Sequence, residues 1–442
     1  MKPQTPPDLP TDDLFRHRLE NLIDTRHELA KLAALIDWEF FDAQWGEAFC
    51  ENGRPAIATR LIAGLHYLKH TYGLSDEQVV QRWAENPYWQ YFCGERYFQH
   101  ELPLNPSSLT RWRQRLGDEG MESLLSATID AAIASKAVKA RDLKCVTVDT
   151  TVQEKAIAFP TDSKLYNRAR ERLVRLAKAH GVPLRQSYVR VGPRLLFKNN
   201  RYGYARQTRR MRRTAAKLKT VLGRVVRDIE RKLPKQSASV QAAFAESMAL
   251  TKRLLDQQRH DKNKLYALHA PEVECIAKGT AHKRYEFGVK VSIATTNRSN
   301  LVVGAQSLPG SPYDGHTLKK ALHQVERLTG QRPERCYVDL GYRGHDVDDV
   351  DVFKARQKRG VTRTIRRELK RRNAIEPIIG HMKNDGLLHR NYLKGVEGDA
   401  INAILCGAGQ NLRLILRYLR IFWLKIQPAF IQYLLLAPPR AA

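Results

Sequence analysis

Two short apolar runs in this chain each end at an aspartate: KCVTVDT at 144–150, carrying Asp149, and RCYVD at 335–339, carrying Asp339. Short β-branched and aromatic runs of this kind are predicted to be buried strands. An acid at the end of such a strand is costly unless it is solvated in a cleft or holds a cation. Residues 285–308 hold two further runs, YEFGVKVSIATT and LVVGAQSL, separated by NRSN, a polar hairpin turn. Residues 317–329 carry Leu318, Ala321, Leu322, Val325 and Leu328 at helical spacing. The order strand, hairpin, helix, strand, helix predicts a mixed α/β domain over 141–427, with a tail from 428 to 442.

Two helical regions flank or interrupt this pattern. Residues 1–53 form an N-terminal helical segment, and 54–135 a helical module. Within the module, 57–70 has helical periodicity, and Ser75 is positioned to cap DEQVVQRWAE, whose Asp76 and Glu77 suit a helix N-terminus. NPSSLTRWRQRLG at 105–117 reads as a short helix capped by Ser107 or Ser108 and stopped by Gly117, bearing Arg111, Arg113 and Arg115. Short helices followed by a basic one fit a helix-turn-helix-like DNA-binding domain, and equally a plain bundle with a solvated Arg face. A long helical insertion spans about 161–270 and holds a dense basic tract at 201–233, including Arg209, Arg210, Arg212 and Arg213. Leu218, Val221, Leu222, Val225 and Ile229 form its one packed stripe.

The net charge of +29, from 75 Lys and Arg against 46 Asp and Glu, points to a polyanionic partner, with nucleic acid first. No apolar run approaches the ~20 residues of a membrane span. The start, MKPQTPPDLPTDD, lacks the apolar core of a signal peptide. Six cysteines (Cys50, Cys93, Cys145, Cys275, Cys336, Cys406) stand apart without a C-x-x-C pair, which argues against a zinc knuckle or disulfide framework and fits a reducing cytoplasm.

A third acid joins the two aspartates. RRNAIEPIIGHMKN at 371–384 places Arg372, Glu376 and Lys383 at offsets of four and seven, on one face of a predicted helix. Alone, that face reads as an intrahelical ion pair contributing a few tenths of a kcal/mol. Taken with Asp149 and Asp339, Glu376 completes a set of hard oxygen ligands of the kind that holds Mg²⁺ or Mn²⁺. Two such ions about 4 Å apart activate a nucleophile and stabilise a leaving oxygen on a phosphodiester. Arg372, as a fork, and Lys383, as a point charge, then suit phosphate contacts.

At these residues the chain resembles the DDE transposases of bacterial insertion sequences, specifically the insertion-sequence-five group. The likeness is carried by VTVDTTVQEKAIAFPTDSKL at 146–165, VECIAKGTAHKRYEFGVKVSIAT at 273–295, YVDLGYRGHD at 337–346, and the region 371–413 beginning RRNAIEPIIGHMKNDGLLHRNYLKG. LSDEQVVQRWAENPYWQYFCG at 74–94 is similar to the N-terminal domain of the same enzymes. The resemblance implies an RNase H-like catalytic fold, with Asp149, Asp339 and Glu376 as the DDE triad. The family's Tyr-x2-Arg-x3-Glu-x6-Lys element puts its Arg, Glu and Lys on Arg372, Glu376 and Lys383. Its Tyr position falls on Leu369, a departure from the pattern. Implied partners are double-stranded DNA, as terminal inverted repeats and target, and a second protomer on paired ends, in the bacterial cytoplasm at the nucleoid.

The expected reaction is metal-dependent cleavage at transposon ends followed by strand transfer into target DNA. A non-transposing nuclease of the same fold and a catalytically decayed DNA-binding remnant are the alternatives. His316, in DGHTL, is expected to cap or pack near the site.

Overall fold

The computed structural model describes residues 17–46, 49, 56–258, 260–277 and 283–436, with side chains described up to 421. The Pro-rich start, Cys50, the expected boundary at residue 53, residues 278–282 of the second resemblance block and the last six residues of the expected tail lie outside the described residues. The chain forms two compact units, one made of Met1–Glu154 with Lys290–Ala442, the other of Lys155–Val289. Among the described residues no helix is long and apolar enough to cross a membrane.

In the first unit, the helix Thr59–Tyr72 ends at Gly73, whose φ of 64° supplies the left-handed stop that most side chains resist. Ser75 then opens Asp76–Glu85 through a reciprocal capping box with Gln78. The basic helix begins at Ser107, but neither serine caps it; the Asn105 side chain accepts from the Ser107 amide at 3.0 Å instead. Helical hydrogen bonding runs on to Ala134, broken at Gly117, which adopts φ 66° and ψ −170°.

Among the described residues six strands follow: β1 (Cys145–Glu154), β2 (Glu274–Ala277), β3 (Tyr285–Thr296), β4 (Val302–Leu308), β5 (Arg335–Val338) and β6 (Asp351–Lys354). Within the first unit the lateral order is β4, β3, β1, β5, β6. β3 and β4 form the antiparallel hairpin predicted around NRSN, with Asn300 at φ 60°. β1, β5 and β6 are parallel, with Cys145 opposite Arg335 and Arg335 opposite Asp351. The helix Leu318–Thr329 buries all five apolar residues expected of it.

The last helix, Gly395–Leu436, binds the helical module to the sheet. Its Asn411 is fully buried, donates to the Val302 carbonyl at 2.8 Å and to Thr128 Oγ1 at 3.0 Å, and accepts from the Val302 amide at 2.8 Å. Arg413 donates to the His70 carbonyl at 2.9 Å. Gly409 lies so close to that carbonyl that a Cβ would overlap it.

The second unit is built on four helices, Asp162–Ala179, Val191–Tyr204, Thr208–Lys232 and Ala238–Asp256. The stripe Leu218, Val221, Leu222, Val225 and Ile229 is buried, and all of it but Val221 packs in a core with Leu173 and Phe244. Arg209, Arg210, Arg212 and Arg213 lie on the exposed surface of the same helix.

Candidate active site

Strand register brings the two aspartates together. β1 does not stop at Asp149, as its sequence suggests, but continues to Glu154. Its pairing with β5 ends earlier, with Thr147 opposite Tyr337. Two residues beyond this pair lie Asp149, still within β1, and Asp339, just past the end of β5, so the register brings the two acids to neighbouring positions. Asp339 turns the chain into the short 3₁₀ helix Leu340–Tyr342.

Arg372 fills the space between them. Its Nη2 lies 3.4 Å from Asp149 Oδ2 and 3.6 Å from Asp339 Oδ1. The Arg372 side chain is 8 % exposed, Asp149 19 % and Asp339 51 %. Burial raises the Asp149 carboxyl above its ordinary 3.8; the Thr150 amide and Arg372 pull it down, while the charges of Asp339 and Glu376 push it up. The Thr150 amide donates to Asp149 Oδ1 at 2.8 Å.

The expected single helix through 371–383 is instead broken. The helix Arg363–Arg371 ends in a 3₁₀ turn at Arg372–Ala374, and a new helix runs from Ile375 to Asn384. Arg372 is thereby turned into the sheet, and its ion pairs are with the strand aspartates. Its buried Nε has no hydrogen-bond partner among the described residues. Glu376 is exposed in the first turn of the second helix, where acids suit the helix N-terminus. Lys383, in its last turn, is half-buried. Leu369 is half-buried on the preceding helix, whose Glu368 accepts from Arg335 at 3.0 Å and from the Tyr337 hydroxyl, fixing that helix to β5.

A further acid, unassigned from the sequence, supports the site. Asp314 Oδ1 accepts from Thr150 Oγ1 at 3.0 Å and pairs with Lys290 Nζ at 2.8 Å. The residue of the DGHTL motif that reaches the site is thus Asp314, whereas His316 is exposed with its ring against Tyr313. Tyr342 is buried beside Asp149 and Asp314; burial first, then those two charges, hold its phenol well above the usual range.

The acids are hard oxygen donors, and two of them already share one cation, so the donor chemistry suits a divalent metal. In the arrangement seen, no three His, Cys, Asp or Glu side chains among the described residues converge as a metal cage.

Comparison with known proteins gives the family. Residues 17–115 match a family described as a transposase domain, and 269–408 match the transposase DDE domain. A protein of Rhizobium meliloti, named "Uncharacterized protein ORF8 in nfe locus", is 53 % identical over 196 residues, covering 44 % of this chain and 95 % of that protein. The chain belongs to the DDE transposases of bacterial insertion sequences. No solved structure matches it. Transposases of this family act on DNA and generally use divalent metal ions.

The other basic residues singled out in this transposase divide into two groups. Arg111 and Arg115 are exposed, the latter with its guanidinium over Trp112 at 5.3 Å. Arg113 differs from both. It is buried, forking onto Asp76 at 3.0 and 2.5 Å beside a Lys69–Asp76 pair of 2.8 Å. Its position on the inward face of the helix decides this, and the sequence signal was Asp76 itself, an acid that a buried cation can meet.

Proposed function

We propose that this transposase cuts DNA at the ends of its element and joins the freed 3′-OH to target DNA, with Asp149, Asp339 and Glu376 as the acids of the reaction. The observation that carries the reading is the nearness of Asp149 in β1 and Asp339 at the end of parallel β5, with the Arg372 guanidinium between them. The lateral order β4, β3, β1, β5, β6, antiparallel at the hairpin and parallel beyond it, supports an RNase H-like description of the catalytic unit.

Asp149, Asp339 and Glu376 would hold two Mg²⁺ ions, or Mn²⁺ in their place, supplying Lewis-acid activation of the attacking oxygen and charge stabilisation of the leaving one. The protein's own part is positional. Thr150 and Asp314 hold the Asp149 carboxylate in register. Arg372 offsets part of the charge of the acid pair and, where a metal takes its place there, would offer its fork to a phosphate. Lys383 adds a compact positive charge further along. The first step breaks a P–O bond with water and leaves a 3′-OH; the second forms a new P–O bond to that hydroxyl and releases a target 3′-OH. The bond count is conserved, so the joining step needs no external energy source.

Arg111 and Arg115 are proposed contacts to the inverted repeat, and Arg209, Arg210, Arg212 and Arg213 to the DNA backbone. Two protomers on paired ends, working on nucleoid DNA in the cytoplasm, complete the reading. Incubating the protein with a pre-cleaved end, plasmid and Mg²⁺ tests it: a joined product is expected. Cleavage of an intact end without joining would leave a nuclease of the same family. Asp149→Ala and Glu376→Gln should abolish cleavage while end binding persists, and unchanged cleavage in either would refute the assigned acids.

A further inference from the structure

The second unit carries a feature that charge alone does not account for. Residues 172–227 contain seventeen Lys and Arg and no Asp or Glu, more than half of the chain's net +29. Where phosphate attraction is the whole purpose, the surface between the cations is normally polar. Here it is aromatic. On the helix Val191–Tyr204, Arg194, Phe197, Arg201 and Tyr204 recur at spacings of three and four, so they share one face. All four are exposed, Phe197 by 63 % and Tyr204 by 92 %. Arg201 lies over the Phe197 ring at 5.9 Å, and on the adjoining segment Arg210 lies over Tyr202 at 5.9 Å.

Leaving two large rings in water forgoes the burial each would gain in a core. A second copy of this chain is a poor occupant, because two such faces would bring their uncompensated cations together. A nucleic acid strand satisfies both features: phosphates meet the arginines, and bases meet the rings. The spacing also fits. Seven residues of helix separate Phe197 from Tyr204 by ~10 Å, close to three ~3.4 Å base steps. Paired bases hide their faces inside the duplex, so rings presented this way favour unpaired bases.

We propose that this face is a binding site for unpaired DNA, with Phe197 and Tyr204 as stacking platforms and Arg194 and Arg201 as phosphate contacts. The proposal extends the reading of the exposed arginines as DNA contacts and adds strand form as the property recognised. The test is fluorescence anisotropy of the full chain, without added metal, on a labelled oligo-dT of about 20 nucleotides, longer than one ~4–16-nucleotide site, and on a duplex of equal length. Tyr204→Ala should weaken oligo-dT binding on the order of tenfold, with duplex binding changed less than about twofold and the salt slope preserved. Tyr204→Phe should restore wild-type affinity, and Phe197→Ala should behave as Tyr204→Ala. Equal losses on both DNA forms, or none on either, would overturn the stacking site. So would reduced self-association of Tyr204→Ala in sedimentation with DNA binding intact, which would make the face a protein interface. Because binding is read without cleavage, failure of the strand-transfer test would leave this result standing, and the reverse holds.

Discussion

Arg372 and Asp149, 223 positions apart in sequence, meet with Nη2 3.4 Å from Oδ2, and the same guanidinium lies 3.6 Å from Asp339. The acid pair therefore has a resident counter-charge. Arg372→Ala should leave the two carboxylates facing each other and lower stability by about 1–3 kcal/mol, less than for a fully buried pair because Asp339 is half exposed. Added Mn²⁺ should then raise the melting temperature of the variant more than that of the unaltered protein. Equal metal-induced shifts in the two proteins would count against Arg372 as the internal competitor.

Asp314 touches Asp149 only through Thr150, so its role is positional. Asp314→Asn should weaken the apparent metal affinity in cleavage by roughly 10–100-fold, the usual range for partners that orient ligands, so that more metal is needed. The midpoint of a Mg²⁺ titration should shift while end binding measured without metal stays constant. An unshifted midpoint would remove Asp314 from the site.

The Asp76 cluster supplies the pH dependence. Burial alone would raise the Asp76 carboxyl, but Arg113 and Lys69 overcome it and hold the group well below the usual carboxylate range. The folded value is depressed, so the stabilisation is fully present above the unfolded value near 3.8 and is lost as pH falls through the folded value. Unfolding free energy should fall with acidification below about pH 4, and Asp76→Asn should flatten that dependence. Arg113→Ala should cost about 2–3 kcal/mol by leaving the mostly buried Asp76 carboxylate with Lys69 as its remaining cation, with the salt dependence of DNA binding unaltered. A reduced salt slope would instead mark Arg113 as a phosphate contact.

Asn411 joins the last helix to β4 and to the helix Ser107–Ala134 through three hydrogen bonds in a fully buried position. Asn411→Leu should destabilise by about 2–4 kcal/mol, because the Val302 amide and carbonyl lose their partners without water to replace them. A melting temperature within a degree of the unaltered protein would contradict this.

Local chemistry explains which parts could be read from sequence. The stripe from Leu218 to Ile229 and the face from Leu318 to Leu328 are amphipathic patterns that need no knowledge of neighbours, and both are buried as expected. Asp149 and Asp339 were visible because acids contrast with the apolar strands that carry them. β6 was missed because Asp351–Lys354 is flanked by charges and its pairing with β5 is a tertiary event. The sequence signal for the 3₁₀ turn at Arg372–Ala374 is Pro377, which has no amide hydrogen to bond back to the Asn373 carbonyl and so opposes one continuous helix; contact with the two aspartates accompanies the break. The burial of Arg113 is not legible in the sequence, because an arginine triplet on a helix looks solvated until the inward face is known.

The place of the second unit within the chain bears on how this protein is made. β1 has β3 on one side and β5 on the other, yet it is complete at Glu154 while β3 begins only at Tyr285. A ribosome adding ~5–20 residues per second needs on the order of ten seconds to cover that interval. Throughout it, both edges of the strand that holds Asp149 await their partners, and an open strand edge invites pairing with other chains. The second unit can meanwhile assemble its own helical core. Synthesis therefore imposes an order, insertion before catalytic sheet, and nascent chains of this protein are most open to aggregation or chaperone capture during that window.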